Sequence, residues 1–377
     1  MRWVSIVLAP DSFKGSLTQL EAAQAMARGL RHRWPEVSTV SKPMADGGEG
    51  TAAVVAAARG GRFIETETVD AYGRPRPGHW LLLPDRTAVI EAAAGPGFVQ
   101  ADDRPRPART AHSRGLGLLL RDALHEGAQR IVVTLGGTGS SDGGMGALLE
   151  LGARIRGVGE PGAEALSAVT AIELVPLPVP LEVWVDVLPP LTGPRGAIRG
   201  YGPQKGLPAR ELEELDAAMA RYGALLDRAS GRPVARTAGA GAAGGLGAAL
   251  AAVGGRLVPG GAAVADAVGL GTALYGARAV ITGEGAVDAQ TVEGKVVGVV
   301  CRLAHQAGVP ALVMAGRIDR GGEPLYGGGA SALFSLTPNG AGDGEFSRAA
   351  ELLERRVWEV SRWLDPALAP RYGVHGR

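Results

Sequence analysis

Short apolar segments recur along the chain, each followed by a glycine- or aspartate-containing loop and then by a helical pattern of alanine and leucine. The clearest begin at residues 4–10, 130–135 and 277–282, and residues 310–316 and 331–336 have the composition of further buried strands. Strands that alternate with helices indicate βαβ units, a largely parallel sheet and a ligand crevice at the carboxyl ends of the strands. At the start of the first helix, Ser16 or Thr18 can act as the N-cap, and Glu21 completes a capping box with Thr18.

A different pattern occupies residues 62–110 and 150–200, where strand-like segments are joined by turns rich in arginine and proline. Residues 209–230 then show the periodicity of an amphipathic surface helix. Because βα units lie on both sides of this region, we predict an α/β fold in which one domain is inserted into another. The predicted domains are residues 1–61 with 275–377, which form a discontinuous parallel-sheet domain, and residues 62–274, which form the inserted α/β domain.

The composition excludes several classes of protein. The formal net charge of +1 favours neither nucleic acid nor a basic partner, and the single cysteine, Cys301, excludes an intrachain disulfide framework. No stretch has the length and apolarity of a signal peptide or a membrane span, so we expect a cytoplasmic protein. Only four lysines occur, and all lie in or beside glycine-rich loops that contain acids: Lys14, Lys42, Lys205 and Lys295. A lysine ammonium group is suited to following a phosphate as it moves, so these loops are candidate sites.

Two of these loops lie in the first 51 residues. Residues 10–17 join a strand to a helix, and their amides, together with the start of that helix, favour an anion close to Ser12, Lys14 and Ser16. Residues 44–51 place Asp46 and Glu49 around Gly47 and Gly48, so that both carboxylates could approach one cation or one substrate hydroxyl. Ordinary solvated turns would also explain both loops.

Two further loops carry the strongest signals. Residues 136–144 follow a predicted strand, and their small side chains, hydroxyls and amides could cradle phosphate oxygens, although tight packing alone would also explain them. The loop residues with this predicted role are Gly136, Gly137, Thr138, Ser140, Ser141 and Asp142. Residues 283–295 combine Glu284 and Asp288, which suit Mg²⁺, with Gln290 and Lys295, and this is what phosphoryl transfer requires. Asp186, at the end of a predicted strand, and the tight loop with Gln204 and Lys205 are weaker candidates.

Standard nucleotide motifs are missing from the chain. No GxxxxGK[ST] P-loop occurs, because Val296 follows the Gly-Lys pair. A literal GxGxxG begins at Gly239, but the residues before it do not form a buried-strand pattern, so we do not expect a dinucleotide site there. The generic motifs therefore indicate only an α/β enzyme that handles phosphate.

Taken in order, six segments resemble the glycerate kinase family of the bacterial glycerate 2-kinase type. The resemblance is carried by APDSFKGSL at 9–17, PMADGGEGT at 43–51, GGTGSSDGG at 136–144, GPQKG at 202–206, GAGAAGGLG at 239–247 and GEGAVDAQTVEGK at 283–295. It implies a flavodoxin-like or Rossmann-like domain with a second α/β domain inserted, and an active site in the cleft between them. It also implies transfer of the ATP γ-phosphoryl group to D-glycerate with Mg²⁺, giving 2-phosphoglycerate, or 3-phosphoglycerate as the alternative product.

The implied roles follow from this reaction. Lys14 would hold the glycerate carboxylate, Asp46 or Asp186 would accept the hydroxyl proton, and Lys205 and Lys295 would neutralise charge on the phosphoryl group. Glu284 and Asp288 would hold Mg²⁺. The expected partners are then the small molecules D-glycerate and ATP, with no nucleic acid and no membrane. A homodimer is possible.

The chain departs from the family pattern at Ser141, Pro189, Ala286 and Val297, where the family usually has Asn, Asn, Arg and Pro. These departures leave open a kinase for another small hydroxy acid. A glycerate or nucleotide sensor without catalysis and a nicotinamide-dependent oxidoreductase are the remaining alternatives.

Overall fold

The computed structural model describes residues 5–288, 291, 295–319, 324–337 and 346–364. The chain divides into two compact units, one formed by Met1–Asp46 with Val264–Arg377 and the other by Gly47–Ala263. The limits predicted from the sequence were 61/62 and 274/275. In the structure, residues 47–61 belong to the second unit and residues 264–274 to the first. The α/β class and the discontinuous parallel-sheet unit are as predicted.

The first unit is built on a five-stranded parallel sheet in the order β13-β12-β11-β1-β2. Its strands are β1 (Ile6–Leu8), β2 (Thr39–Ser41), β11 (Ala279–Val287), β12 (Ala311–Ile318) and β13 (Ala332–Ser335). Its helices are α1 (Gln19–Arg33), α8 (Leu270–Leu274), α9 (Val296–Gln306), α10 (Pro324–Gly327) and α11 (Ala349–Ser361). In chain order the strands have the 2-1-3-4-5 arrangement of a flavodoxin-like sheet, as the resemblance implied.

The predicted start of α1 is confirmed. The Oγ1 of Thr18 accepts a hydrogen bond from the amide of Glu21 at 3.3 Å, and Oε2 of Glu21 accepts one from the amide of Thr18 at 2.8 Å. This reciprocal capping box satisfies two backbone donors, and α1 then buries Ala22, Met26 and Leu30 in the core of its unit.

The second unit contains a six-stranded mixed sheet in the order β10-β9-β6-β5-β4-β3, in which β3, β4 and β5 pair antiparallel and the others parallel. Its strands are β3 (Arg62–Val69), β4 (Pro75–Leu82), β5 (Thr87–Glu91), β6 (Arg130–Thr134), β9 (Leu181–Val185) and β10 (Arg256–Pro259), with a separate hairpin of β7 (Arg154–Arg156) and β8 (Ala171–Glu173). Its helices are α2 (Thr51–Arg59), α3 (Arg114–His125), α4 (Met145–Glu150), α5 (Leu212–Ser230) and α6 (Ala242–Ala252). Helix α7 (Gly260–Val268) contains the boundary between the two units.

The largest hydrophobic cluster of the second unit lies on one face of its sheet. Alternate strand residues such as Ile90, Val133 and Val183 are fully buried there with side chains from α3 to α6. The predicted amphipathic helix is present as α5, which buries Tyr222 and Leu226 on its inner face. In the part of the chain that the structure describes, no helix is long and apolar enough to cross a membrane.

Candidate functional site

A cavity of about 480 Å³ opens at the carboxyl edge of the flavodoxin-like sheet. The chain leaves β1 towards β2 on one side, and β11 lies on the other side of β1, so the strand order reverses at this point. Crevices at such reversals are the usual ligand sites of open α/β sheets. The polar residues that line the cavity come from the ends of five strands and the segments that follow them: Asp11, Ser12, Lys14, Ser16, Asp46, Glu284, Asp288, Lys295, Arg317 and Thr337.

The loop after β1 is closed by its own hydrogen bonds. The amide of Asp11 continues the pairing with β11 by donating to the carbonyl oxygen of Gly283 at 2.8 Å. Phe13 and Leu17 exchange two backbone bonds of 2.9 Å, and the hydroxyl of Ser16 donates to the carbonyl oxygen of Phe13 at 2.8 Å. Ser12 and Lys14 therefore stand on a fixed turn at the cavity.

The sequence analysis expected the start of α1 to help this loop hold an anion. The capping box already places a carboxylate, that of Glu21, at the start of the helix, and its hydrogen bonds to Thr18 lower the pKa of Glu21. An anion at the loop would consequently meet the ammonium group of Lys14 and the loop amides rather than an open helix end.

Carboxyl groups are crowded on the inner side of the cavity. Burial raises the pKa of Asp11 to about 8, the charge of Asp46 adds to the rise, and a 2.6 Å hydrogen bond from the amide of Ser12 opposes it. Burial also raises the pKa of Glu284 to about 7, and Asp288 and Asp46 add to this rise while Lys295 opposes it. Carboxylates that disfavour each other's ionisation in this way are stabilised by a nearby cation.

The donor set suits Mg²⁺. The Oε1 atom of Glu284 is buried and accepts no hydrogen bond within the described part of the chain, so one ligand oxygen is available. The described residues contain no group of three or more His, Cys, Asp or Glu side chains arranged to hold a metal ion. Mg²⁺ commonly takes only one or two protein carboxylates and completes its shell with water and phosphate oxygens. Glu284 and Asp288 therefore fit such an ion.

The end of the predicted loop 283–295 carries a cation at a helix start. Lys295 is the N-cap of α9, no described side chain caps that helix, and its Nζ lies 3.8 Å from Oδ1 of Asp288. Thr291 and Asp288 are tied together by a 3.1 Å bond from the amide of Thr291 to Oδ1 of Asp288. An ammonium group beside helix amides that no side chain caps is a favourable place for a phosphate. Gln290, also predicted here, lies outside the described residues.

The second unit contains the other predicted set, centred on Lys205. This lysine is only 6% exposed, and its Nζ donates to the carbonyl oxygen of Ser140 at 2.7 Å and to Oγ1 of Thr138 at 3.3 Å. Burial lowers the pKa of Lys205 to about 8, against the opposing charges of Asp142 and Asp186. The structure therefore brings Lys205 and the loop 136–144 together. Gln204 and Asp186 are exposed beside them, and the amide of Val187 donates to Oδ1 of Asp186 at 2.9 Å.

Asp142 organises this loop from inside. Its Oδ2 accepts from the amide of Ser113 at 2.8 Å, the hydroxyl of Ser113 at 2.9 Å and the amide of Gly146 at 2.9 Å, and its Oδ1 accepts from the amide of Gly144 at 3.1 Å. Four hydrogen bonds account for the accepting capacity of a carboxylate. The geometry favours a role in holding the loop, whereas the sequence analysis had placed Asp142 among the ligand contacts.

Close packing explains much of the glycine content here. A Cβ on Gly136 would stand 2.5 Å from the Cα of Gly48, and one on Gly144, whose φ is +75°, would collide with Ala249. Gly137 also has a positive φ, of +73°. The hydroxyls of Ser140 and Ser141 are buried and have no partner among the described residues. Gly47 packs beside Trp184, and Glu49 is exposed at the start of the turn into α2.

Three residues near these sites were missed from the sequence. Asp11 is an acid directly after a buried strand, and that position at a strand end was the signal that could have identified it. Arg317, near the end of β12, has the same kind of signal. Glu91 of β5 accepts a 2.8 Å bond from the amide of Ala52 and so caps α2 from another element, a contact that no local pattern reveals.

The four departures from the family pattern fall in different surroundings. Ala286 lines the cavity of the first unit, and Val297 is buried in the first turn of α9. Ser141 is buried, and the carbonyl oxygen of Pro189 accepts a 3.1 Å bond from the amide of Gly241. Only Ala286 thus changes the wall of the described cavity.

Comparison with known proteins gives one consistent result. A family model described as the glycerate kinase family matches residues 6–365. The glycerate kinase of Bacillus subtilis (strain 168) is 39% identical over 372 residues, which cover 95% of this chain and 97% of that protein. The glycerate 2-kinase of Escherichia coli (strain K12) is 36% identical over 373 residues, which cover 96% of this chain and 98% of that protein. A crystal structure from Salmonella typhimurium LT2, provisionally described as glycerate kinase 2, is 36% identical, has a TM-score of 0.82 and covers 98% of this chain and 100% of its own.

Proposed function

Because the chain belongs to the glycerate kinase family, we propose that it transfers the γ-phosphoryl group of ATP to a hydroxyl of D-glycerate. We propose 2-phosphoglycerate as the product, in keeping with the relative named glycerate 2-kinase, and 3-phosphoglycerate as the alternative. The observation that carries the proposal is the cavity of the first unit. There a buried Glu284 oxygen, which has no partner among the described residues, lies near Asp288 and Lys295.

The residues of this cavity supply the parts that phosphoryl transfer requires. Glu284 and Asp288 would hold Mg²⁺, which when bound neutralises charge on the phosphate oxygens. Lys295, at the start of α9, would hold a phosphate oxygen with its ammonium group and the adjacent helix amides. Asp46 lines the same cavity and is our candidate for accepting the proton of the substrate hydroxyl, with Asp186 as the alternative.

Two further assignments concern anions and charge. Lys14 stands exposed on the closed turn at the cavity, where it would hold the carboxylate of the hydroxy acid with Ser12 and Ser16 nearby. Lys205 would contribute positive charge through the loop 136–144 that it ties together. For Asp142 we propose a positioning role, since its oxygens hold the backbone of that loop.

The test is an ADP-release assay with D-glycerate and Mg-ATP, in which the product is resolved by ³¹P NMR. A 2-phosphoglycerate signal supports the full proposal, and a 3-phosphoglycerate signal supports the kinase but corrects the position of transfer. If ATP binds and D-glycerate is not phosphorylated, the acceptor is wrong, and a panel of small hydroxy acids becomes the next measurement.

A pair of lysine variants tests the assignment of the cavity. We expect Lys295→Ala to lower kcat by about 10²-fold or more, because a cation beside the transferring group is lost. Lys42→Ala is the matched control, since Nζ of Lys42 donates to the carbonyl oxygen of Val268 at 2.6 Å and Lys42 does not line the cavity. Asp186→Asn is measured alongside. Turnover near that of the wild type in both Lys295→Ala and Asp186→Asn would remove the two residues from the mechanism.

A further inference from the structure

Three arginines of the second unit have no carboxylate partner within the part of the chain that the structure describes. Among the described residues, no Asp or Glu oxygen lies within 4.0 Å of the guanidinium groups of Arg76, Arg104 or Arg106, whereas a neighbour, Arg74, pairs with Asp70 at 2.5 Å. Each of the three donates one described hydrogen bond, to the carbonyl oxygen of Gly95, Val99 or Tyr72, at 3.5, 3.2 and 2.6 Å respectively. Since a guanidinium group has five N–H donors, most of their donors are left for another partner.

Arg76 and Arg104 lie against neighbouring residues of one segment. A Cβ on Gly97 would stand 3.4 Å from Nη1 of Arg76, and the Arg104 guanidinium lies over the ring of Phe98, the next residue. Burial raises the pKa of Tyr72 and Asp70 adds to the rise, whereas Arg104, Arg74 and Arg106 oppose it, so Arg104 and Arg106 both act on this side chain. Cations gathered at one point repel each other, and an anion among them would remove that repulsion. The planar guanidinium fork matches the oxygens of a carboxylate or a phosphate.

The arginines also adjoin the loop that the sequence marked as a candidate phosphate cradle. The amide of Phe98 donates to the carbonyl oxygen of Gly137 at 2.9 Å, and the amide of Gly139 donates to that of Pro96 at 2.8 Å. Arg104 lies over the ring of Phe98 at 5.8 Å, and a Cβ on Gly206, next to Lys205, would collide with the Arg104 guanidinium group. The Arg104 guanidinium group therefore lies against the backbone of the residue that follows Lys205.

We propose that Arg76, Arg104 and Arg106 form an oxyanion site that binds a carboxylate or phosphate group of a small-molecule ligand. None of the three arginines lines the cavity to which phosphoryl transfer is assigned above, and the choice of candidate ligands rests on the proposed function. Two ligands of the proposed reaction carry the required chemistry, the hydroxy acid through its carboxylate and the nucleotide through its phosphates.

The decisive comparison is between Arg106→Gln and Arg109→Gln in the full chain. Arg109 is three residues away and is already paired with Glu164 at 2.8 Å and Glu211 at 3.7 Å, so it is a matched arginine outside the cluster. Calorimetric titrations measure sodium D-glycerate and ATP separately, without turnover. We expect Arg106→Gln to weaken the binding of one of them by about tenfold or more, as for loss of a charge-assisted hydrogen bond, and Arg109→Gln to leave both affinities unchanged.

The two arms identify the ligand. A loss confined to D-glycerate assigns the site to the carboxylate, in place of the role proposed above for Lys14. A loss confined to ATP assigns the site to the phosphates. Wild-type affinity of Arg106→Gln for both anions would overturn the proposal.

A measurement on the wild-type chain covers the case in which Arg106→Gln does not fold. Phenylglyoxal labels arginine side chains, and mass spectrometry reports the labelling of Arg104, Arg106 and Arg109 with and without each anion. Protection of Arg104 and Arg106 but not of Arg109 supports the site, and equal labelling with and without both anions contradicts it. A chain that binds an anion here but releases no ADP would overturn the proposed phosphoryl transfer and leave this site standing.

Discussion

Lys205 shows how burial can change the chemistry of a single residue. Its pKa is lowered to about 8 from the ordinary 10.5, because burial penalises the ammonium form more than Asp142 and Asp186 stabilise it. Between these values the unfolded chain binds more protons than the folded chain. The free energy of unfolding therefore rises as the pH rises from about 8 to about 10.5.

We predict that this residue gives the wild type a stability gain of up to roughly 3 kcal/mol across that pH range. Lys205→Met has no group to titrate and should lack this gain. Urea unfolding of both proteins at several pH values measures the difference. If Lys205 acts as a cation in turnover, kcat should fall as the pH rises through about 8. A stability difference between the two proteins that stays constant with pH would contradict the lowered pKa.

Scarcity singled out four lysines, which the structure places in different surroundings. Lys14 and Lys295 line the cavity of the first unit, Lys205 is buried against the loop 136–144, and Lys42 bonds the end of α7. Asp11 was not singled out. Its closeness to Glu284 depends on β1 and β11 lying side by side, a pairing of distant segments that no local pattern contains.

At the scale of elements, two glycine-rich segments pack directly against each other. The amide of Gly143 donates to the carbonyl oxygen of Gly244 at 3.0 Å, and a Cβ on Gly244 would collide with the carbonyl oxygen of Ser140. The GxGxxG that begins at Gly239 thus serves the contact between two loops. As the sequence analysis expected, no buried strand leads into it, because residues 234–236 form a 3₁₀ turn.

We predict that Gly244→Ala destabilises the chain by more than Gly231→Ala does. Both glycines have similar left-handed φ values, +72° and +67°, so each substitution costs about 1–2 kcal/mol of backbone strain. A Cβ on Gly231 has nothing within 4 Å, whereas one on Gly244 meets backbone. We therefore expect a further loss of about 1–3 kcal/mol for Gly244→Ala, measured by urea unfolding. Equal losses for the two variants would mean that the loops do not need this close approach.

Elements with strong local signals could be predicted, and contacts between elements could not. The capping box of Thr18 and Glu21 and the amphipathic helix α5 follow from residues three or four apart, which local patterns describe well. The cap that Glu91 provides to α2 comes from a strand 39 residues further along the chain. Contacts of this kind depend on tertiary packing.

At the scale of the whole molecule, one unit is continuous and the other is assembled from both ends of the chain. The domain limits were predicted from changes in the pattern of strand, helix and turn residues along the chain. That pattern does not show that α2 belongs to the second unit, where the Glu91 cap holds it. The continuous unit contains a whole six-stranded sheet with its own core.

We predict that a fragment of residues 47–263 folds without the rest of the chain, because all its strands are paired within it. It should unfold cooperatively in urea and retain near-native far-ultraviolet circular dichroism. A fragment of residues 264–377 should not, because β11 would lose its neighbour β1. An unfolded 47–263 fragment, beside an intact chain that folds, would contradict this prediction.

The central position of β1 in its sheet has a consequence during protein synthesis. This strand ends at Leu8, whereas its neighbour β11 begins at Ala279. At roughly 5–20 residues per second, a ribosome needs on the order of 15–55 s to make the intervening chain. Throughout that interval the nascent chain exposes one bare edge of an apolar strand, which makes the N-terminal segment a natural client for chaperones at the ribosome exit.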